Sequence, residues 1–227
     1  MDWFPLWLSL RVALASTALA LAAGLAVAYV LANHNFRGRE LLDAMVTLPL
    51  ALPPTVLGFY LLVVIGRASP VGKIWETLFG SPLVFTVKAA ILAAVLHAAP
   101  LLIKSARAAF ESVDQSYERA ARTLGASEWR LFWRVTLPLS RRPILAAAAL
   151  AFARSLGDFG ITLMVAGNIP GRTQTLALAI YDAVESGNST MAGLFSLIVS
   201  LIALAAVFVV NRFGARLDAS ERGKAVA

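Results

Sequence analysis

The chain has 227 residues, of which 59% are hydrophobic and 15% charged, with a formal net charge of +7. Its mean hydropathy is +0.75, which excludes an ordinary soluble domain, where about half the residues are apolar, and predicts an all-α polytopic membrane protein forming one compact domain. The absence of cysteine excludes disulfides, a thiol nucleophile and a Cys-based metal site. The two histidines, His34 and His97, lie far apart, so neither a metal nor a cofactor is expected. The positive charge suggests nucleic acid, but basic residues that flank apolar spans are explained by membrane topology. The expected surroundings are lipid, with no nucleic-acid partner.

A spanning helix needs roughly 20 apolar residues. The first qualifying run covers 12–32. It is longer than the apolar region of a signal peptide, and Arg37 and Arg39 follow it instead of preceding it, so it reads as a retained helix. Ala18, Ala22 and Ala26, and Gly24 with Ala28, recur at i, i+4 and offer small faces for close helix packing. The second run, 45–65, contains Pro49, Pro53 and Pro54, with Gly58 one turn later. Proline removes a backbone donor and clashes with the preceding turn, which predicts a kinked or partly unwound helix. Broken backbone at membrane depth is tolerated only when buried in protein or lining a watery cavity. Pro53, Pro54, Thr55 and Gly58 are therefore candidates for a translocation pathway, with a simple packing kink as the alternative.

The stretch 66–74, GRASPVGKI, imitates a P-loop. Its glycine spacing is one residue too long and Ile74 stands where Ser or Thr is required, so ATP must bind elsewhere. In the third span, 83–103, Lys88 lies near one end. It can snorkel to the interface or help attract an anion. A lone histidine at the depth of His97 is expected to bond a neighbouring helix.

Between 104 and 142 the chain turns polar and basic. Glu118, Ala120 and Ala121 fall on one short helix, and Gly125 is the natural residue to end it in a left-handed turn. Ser127 can cap a second short helix, expected to stop near Leu137 because Pro138 follows. Trp129, Phe132 and Trp133 fall at i, i+3 and i+4 on one face, with Arg130 and Arg134 off it. One reading is an amphipathic helix on the membrane surface with tryptophans in the headgroup layer. The pattern Glu118-Arg119-Ala120-Ala121, three residues, Gly125, nine residues, then Val135-Thr136-Leu137-Pro138 resembles the EAA loop of ABC-transporter permeases, with Arg119 inserted. The resemblance implies that Glu118, Ala120, Ala121, Gly125, Trp129, Leu137 and Pro138 belong to a cytoplasmic coupling site whose short helix docks in a cleft of an ATP-hydrolysing subunit.

Pro143 suits the first turn of the fourth span, 144–166. Arg154 and Asp158 fall at i, i+4 on one face. Each alone would cost roughly 3 kcal/mol at the bilayer centre, so a structural pair facing the protein interior is expected. Arg154 as an anion site is the sharper alternative, against which a neighbouring Asp158 would act by repulsion. The segments ARSLGDFG (153–160), GNIPGRTQT (167–175) and LAIY (178–181) resemble the molybdate-type branch of oxyanion permeases, with Asp158 where Glu is commoner. Sulfate and thiosulfate permeases share much of the pattern. Residues 167–189 form a loop with turn signals, which the resemblance places opposite a substrate-binding protein. A fifth span, 191–210, precedes a short basic tail.

Five spans put the termini on opposite sides. Arg37, Arg39, eight basic residues between Lys104 and Arg142, and Arg212, Arg216, Arg222 and Lys224 would share one side; Arg11, Arg67, Lys73 and Arg172 would share the other. The asymmetry predicts an outside N-terminus, a cytoplasmic C-terminus and a cytoplasmic 104–142 loop. The resemblance implies a non-catalytic permease subunit in the bacterial cytoplasmic membrane. It pairs as a homodimer with an ABC ATPase and an extracytoplasmic oxyanion-binding protein, and imports molybdate, with tungstate or sulfate as alternatives. An ion-coupled carrier would show paired internal repeats, which are not evident. A membrane enzyme would need a nucleophile beside Arg154 and Asp158, and none accompanies them.

Overall fold

A computed structural model describes residues 2–225, with side chains through residue 210 and at Arg212. The tail residues Arg216, Arg222 and Lys224 lie outside the described side chains. The protein is all-α: α1 (Phe4–Asn33), α2 (Arg39–Ala51), α3 (Pro54–Ile65), α4 (Pro70–Phe79), α5 (Val87–Glu111), α6 (Gln115–Thr123), α7 (Glu128–Leu131), α8 (Leu137–Leu156), α9 (Gly160–Ala166), α10 (Leu176–Glu185) and α11 (Ser189–Ala225). Among the described residues four helices are long and apolar enough to cross a membrane, and α2 with α3 makes a fifth span when counted as one bent element.

The centre is α5, flanked by α1 and α8. Ala89, Ala90, Ala93, Ala94 and Ala98 are fully buried along it, and small side chains let the flanking helices come close. The two small rows of α1 separate. Gly24 and Ala28 are buried, whereas Ala18, Ala22 and Ala26 are open. The first helix begins at Phe4, earlier than its apolar run, because Pro5 is preorganised for a first turn. Its far end is closed by Arg39, whose guanidinium donates to the Leu31 carbonyl at 2.7 and 3.0 Å.

The second span breaks as its prolines predict. Helices α2 and α3 meet at a bend of 118°. The residues 66–74 form no phosphate loop. Ser69 caps α4, its hydroxyl accepting from the Gly72 amide at 2.9 Å. Lys88 reaches over α4. Its ammonium lies 4.8 Å from the Trp75 ring centre and 5.1 Å from that of Phe79, a cation–π seat on α4.

Two sequence expectations are corrected. The second knuckle helix does not stop before Pro138. The turn at Phe132–Thr136 widens to π-helical geometry, and the backbone runs on into α8 as one long helix. A wide turn ahead of proline makes room for its ring and removes the need for its missing N–H. The fourth span is not one helix. It ends at Leu156, and Gly157, Asp158 and Phe159 separate α8 from α9.

Candidate functional site

The polar loop folds as a helix–turn–helix knuckle. Asp114 caps α6, its carboxylate accepting from the Ser116 amide at 2.8 Å; these bonds hold its pKa below the ordinary aspartate value. At the other end Gly125 adopts φ +77°. The Ala126 amide donates to Ala121 O at 3.1 Å and the Gly125 amide to Arg122 O at 3.0 Å, the paired bonds of a Schellman motif. Ser127 caps α7, accepting from the Arg130 amide at 3.4 Å. Arg122 ties the two helices, donating to Glu128 at 2.9 and 3.3 Å.

Glu118 is only 6% exposed. Its carboxylate accepts from Thr136 Oγ1 at 2.9 Å, and Arg122 lies 3.6 Å away. A buried carboxylate without such partners would be costly, so this contact fixes α6 against the π turn. Tyr29 of α1 donates to Glu128 at 3.4 Å, and its ring meets Phe132 at 4.9 Å and Phe110 at 5.9 Å, edge-on. The knuckle is thereby fastened to α1 and α5.

Of the residues expected for coupling, Glu118 is internal. Ala120 and Pro138 are exposed, Ala121 and Leu137 are half-buried, and Gly125 sits at the exposed tip beside Leu124, 88% exposed. Trp129 is 73% exposed, and with Phe132 and Trp133 it borders an apolar groove of about 700 Å³ against Ala18, Ala22, Ala26 and other residues of α1; Phe132 is the more buried of the three rings. Arg122, Glu128, Tyr29 and Thr136 join the knuckle without any signal in the loop sequence.

The second feature lies where α3 and α9, the segments beyond the two breaks, pack together. A Cβ at Gly160 would stand 2.9 Å from Pro54 Cβ, and one at Gly58 would stand 2.8 Å from Met164 Cβ and 3.2 Å from Ile161 Cα. Only glycine permits this approach of α3 to α9. Pro53, Pro54 and Thr55 are exposed beside the break; Gly58 is buried in the contact.

Arg154 and Asp158 do not pair, which corrects the i, i+4 expectation. The helix ends between them, so their side chains diverge. Asp158 is 2% exposed. Its Oδ1 lies 2.8 Å from His97 Nδ1 of α5, and its Oδ2 accepts from the Thr162 amide at 3.2 Å and from the Thr162 hydroxyl. Asp158 thus caps α9 and anchors the break to α5. His97 bonds a neighbouring element, as its depth suggested. Arg154 is exposed and donates through Nε to the His97 carbonyl at 3.3 Å. Among the described residues no three His, Cys, Asp or Glu side chains gather as a metal site requires.

Residues 20–223 match the family model described as the binding-protein-dependent transport system inner membrane component. The chain belongs to this family. It is therefore a multi-pass membrane component of a binding-protein-dependent transport system. The molybdenum transport system permease protein ModB of Haemophilus influenzae is 43% identical over 201 residues, covering 87% of this chain and 88% of that protein. ModB of Escherichia coli K12 is 38% identical over 224 residues, covering 98% and 97%. A protein of Chlorella vulgaris whose name assigns it to sulfate transport is 35% identical over 190 residues, covering 84% and 71%. Among solved structures, an inward-facing MetNI methionine ABC transporter superposes with a TM-score of 0.75 at 17% identity, covering 95% of this chain and 99% of that one. At that identity the likeness shows the fold.

Proposed function

We propose that this chain is the membrane-spanning permease subunit of a molybdate ABC importer, a single permease domain that works as a homodimer. ATP is hydrolysed by a separate cytoplasmic subunit, and an extracytoplasmic binding protein delivers the oxyanion. The N-terminus lies outside and the C-terminus inside, as the distribution of basic residues favours. The exposed tip around Ala120, Ala121 and Gly125 docks on the ATPase, with Glu118 as internal brace. Trp129 borders the docking surface. Leu137 and Pro138 pass motion into α8.

The continuous α7–π–α8 helix supports a lever. Displacement at the tip reaches the α8–α9 break without crossing a flexible joint. The pathway runs beside the facing breaks, past Pro53, Pro54 and Thr55 on one side and Arg154 on the other. Gly58 provides close packing, and Asp158 holds the break from behind.

The observation that carries the substrate assignment is the end-to-end match to molybdenum permeases, which exceeds the sulfate relative in identity and in coverage. The test is ATP-driven uptake of labelled molybdate into vesicles containing this chain, its ATPase and its binding protein, with and without excess sulfate. Uptake that survives sulfate is expected. Uptake abolished by sulfate would move the chain to the sulfate branch.

A further inference from the structure

Among the described residues the exposed guanidinium of Arg154 has no acid partner. It lies two residues before α8 ends at Leu156, on the continuous helix Glu128–Leu156 that is long and apolar enough to cross a membrane, and beside the break into α9. Its one hydrogen bond goes to the His97 carbonyl, and no described residue holds it in an ion pair. Asp158, the natural partner by sequence, is turned away by the break and occupied on both oxygens, by His97 on one and Thr162 on the other. An unpaired guanidinium on a membrane-crossing helix is costly against lipid and calls for water or a passing anion. Its planar fork matches two oxygens of a tetrahedral oxyanion.

We propose that Arg154 is a transient oxyanion contact on the translocation pathway, and that His97 is the positioning residue that keeps it available by sequestering Asp158. This rests on the molybdate-permease reading and adds the residue and the chemistry by which the substrate is met. Free to swing, the Asp158 carboxylate would pair with Arg154 and repel the anion. Held by His97, it neutralises nothing outside its own pocket.

The chain contains no cysteine, so Arg154→Cys places a single thiol in an otherwise native permease within the complete transporter. Molybdate uptake by this variant is expected to fall about tenfold or more, the scale of a lost charge-assisted contact, while ATP hydrolysis stimulated by the loaded binding protein persists. Aminoethyl methanethiosulfonate, which restores a cation at the thiol, should recover uptake. The sulfonatoethyl reagent, which adds an anion, should not. A thiol that reacts with neither reagent, or equal effects of both, would overturn the proposal.

For the positioning role, His97→Gln should reduce uptake, and the double variant His97→Gln/Asp158→Asn should regain it, because asparagine still caps α9 but carries no charge to capture Arg154. A double variant no better than the single one would make His97 merely structural. Failure of the native transporter to take up molybdate at all would overturn the functional reading. Normal native uptake with an unaffected Arg154→Cys variant would overturn this inference alone.

Discussion

The knuckle and the facing breaks are both interruptions of helix, yet they are maintained differently. The knuckle is built from local devices, with Asp114 and Ser127 as N-caps and Gly125 in a left-handed turn, fewer than fifteen residues apart. The breaks are held from a distance. Gly160 meets Pro54 across more than a hundred residues, and Asp158 meets His97 across 61. The knuckle is polar and largely exposed, so in water each free backbone group has an alternative partner. At membrane depth none exists, and a break persists only where neighbouring elements satisfy it. The knuckle should therefore tolerate single changes better than the breaks do.

The largest effect is expected at the breaks. Gly160→Leu and Gly58→Leu force side-chain atoms into Pro54 and Met164; overpacking of this kind costs about 1–3 kcal/mol. Because the contact joins two spans, both variants should lose most uptake and unfold at lower temperature in detergent. Uptake at native levels in both would show that α3 and α9 need no close approach. Next comes Thr136→Val, nearly isosteric, which strips the buried Glu118 of its hydroxyl donor at a cost of about 1–3 kcal/mol. Faster amide exchange in α6 is the expected sign, and unchanged exchange would remove Glu118 as the brace.

Gly125→Val is smaller in stability. Nothing lies near the added side chain, so the penalty is the left-handed backbone alone, about 1–2 kcal/mol. The variant should assemble with its ATPase but transport less, and normal transport would separate the turn from coupling. The smallest effect concerns the Asp114 cap. Its folded pKa is depressed, so its contribution is fully present above the ordinary aspartate value of about 3.9 and is lost as pH falls through the lower folded value. Amide exchange at Ser116 should rise across that acidic window and become insensitive to pH in Asp114→Asn, which caps without titrating. Persistence of the pH dependence in that variant would assign it to another group.

What the sequence made legible follows the same division. Gly125, Ser127 and the prolines of span two act on their own neighbours, so their turn, cap and kink could be read directly. Pro138 misled because its usual consequence, a helix stop, is cancelled by a π turn that hydropathy and propensity do not encode. Asp158 misled because the i, i+4 rule presumes an unbroken helix, and the break becomes affordable only through His97 and Thr162. The inward Gly24–Ala28 row and the open Ala18–Ala22–Ala26 row of α1 are both made of small residues, and packing on α5 tells them apart. Likewise, the pairing of Thr136 with Glu118 has no periodic signature, since it joins two helices through a turn.

If the knuckle works as a stiff lever on the breaks, the quantity that reports it is the amount of molybdate carried per ATP hydrolysed. Both quantities would be measured in the same proteoliposomes, with binding protein and ATPase present, for the native chain and for Thr136→Val. A loosened lever predicts that stimulated hydrolysis continues while molybdate per ATP falls. An unchanged ratio, whether or not both rates decline together, would contradict it.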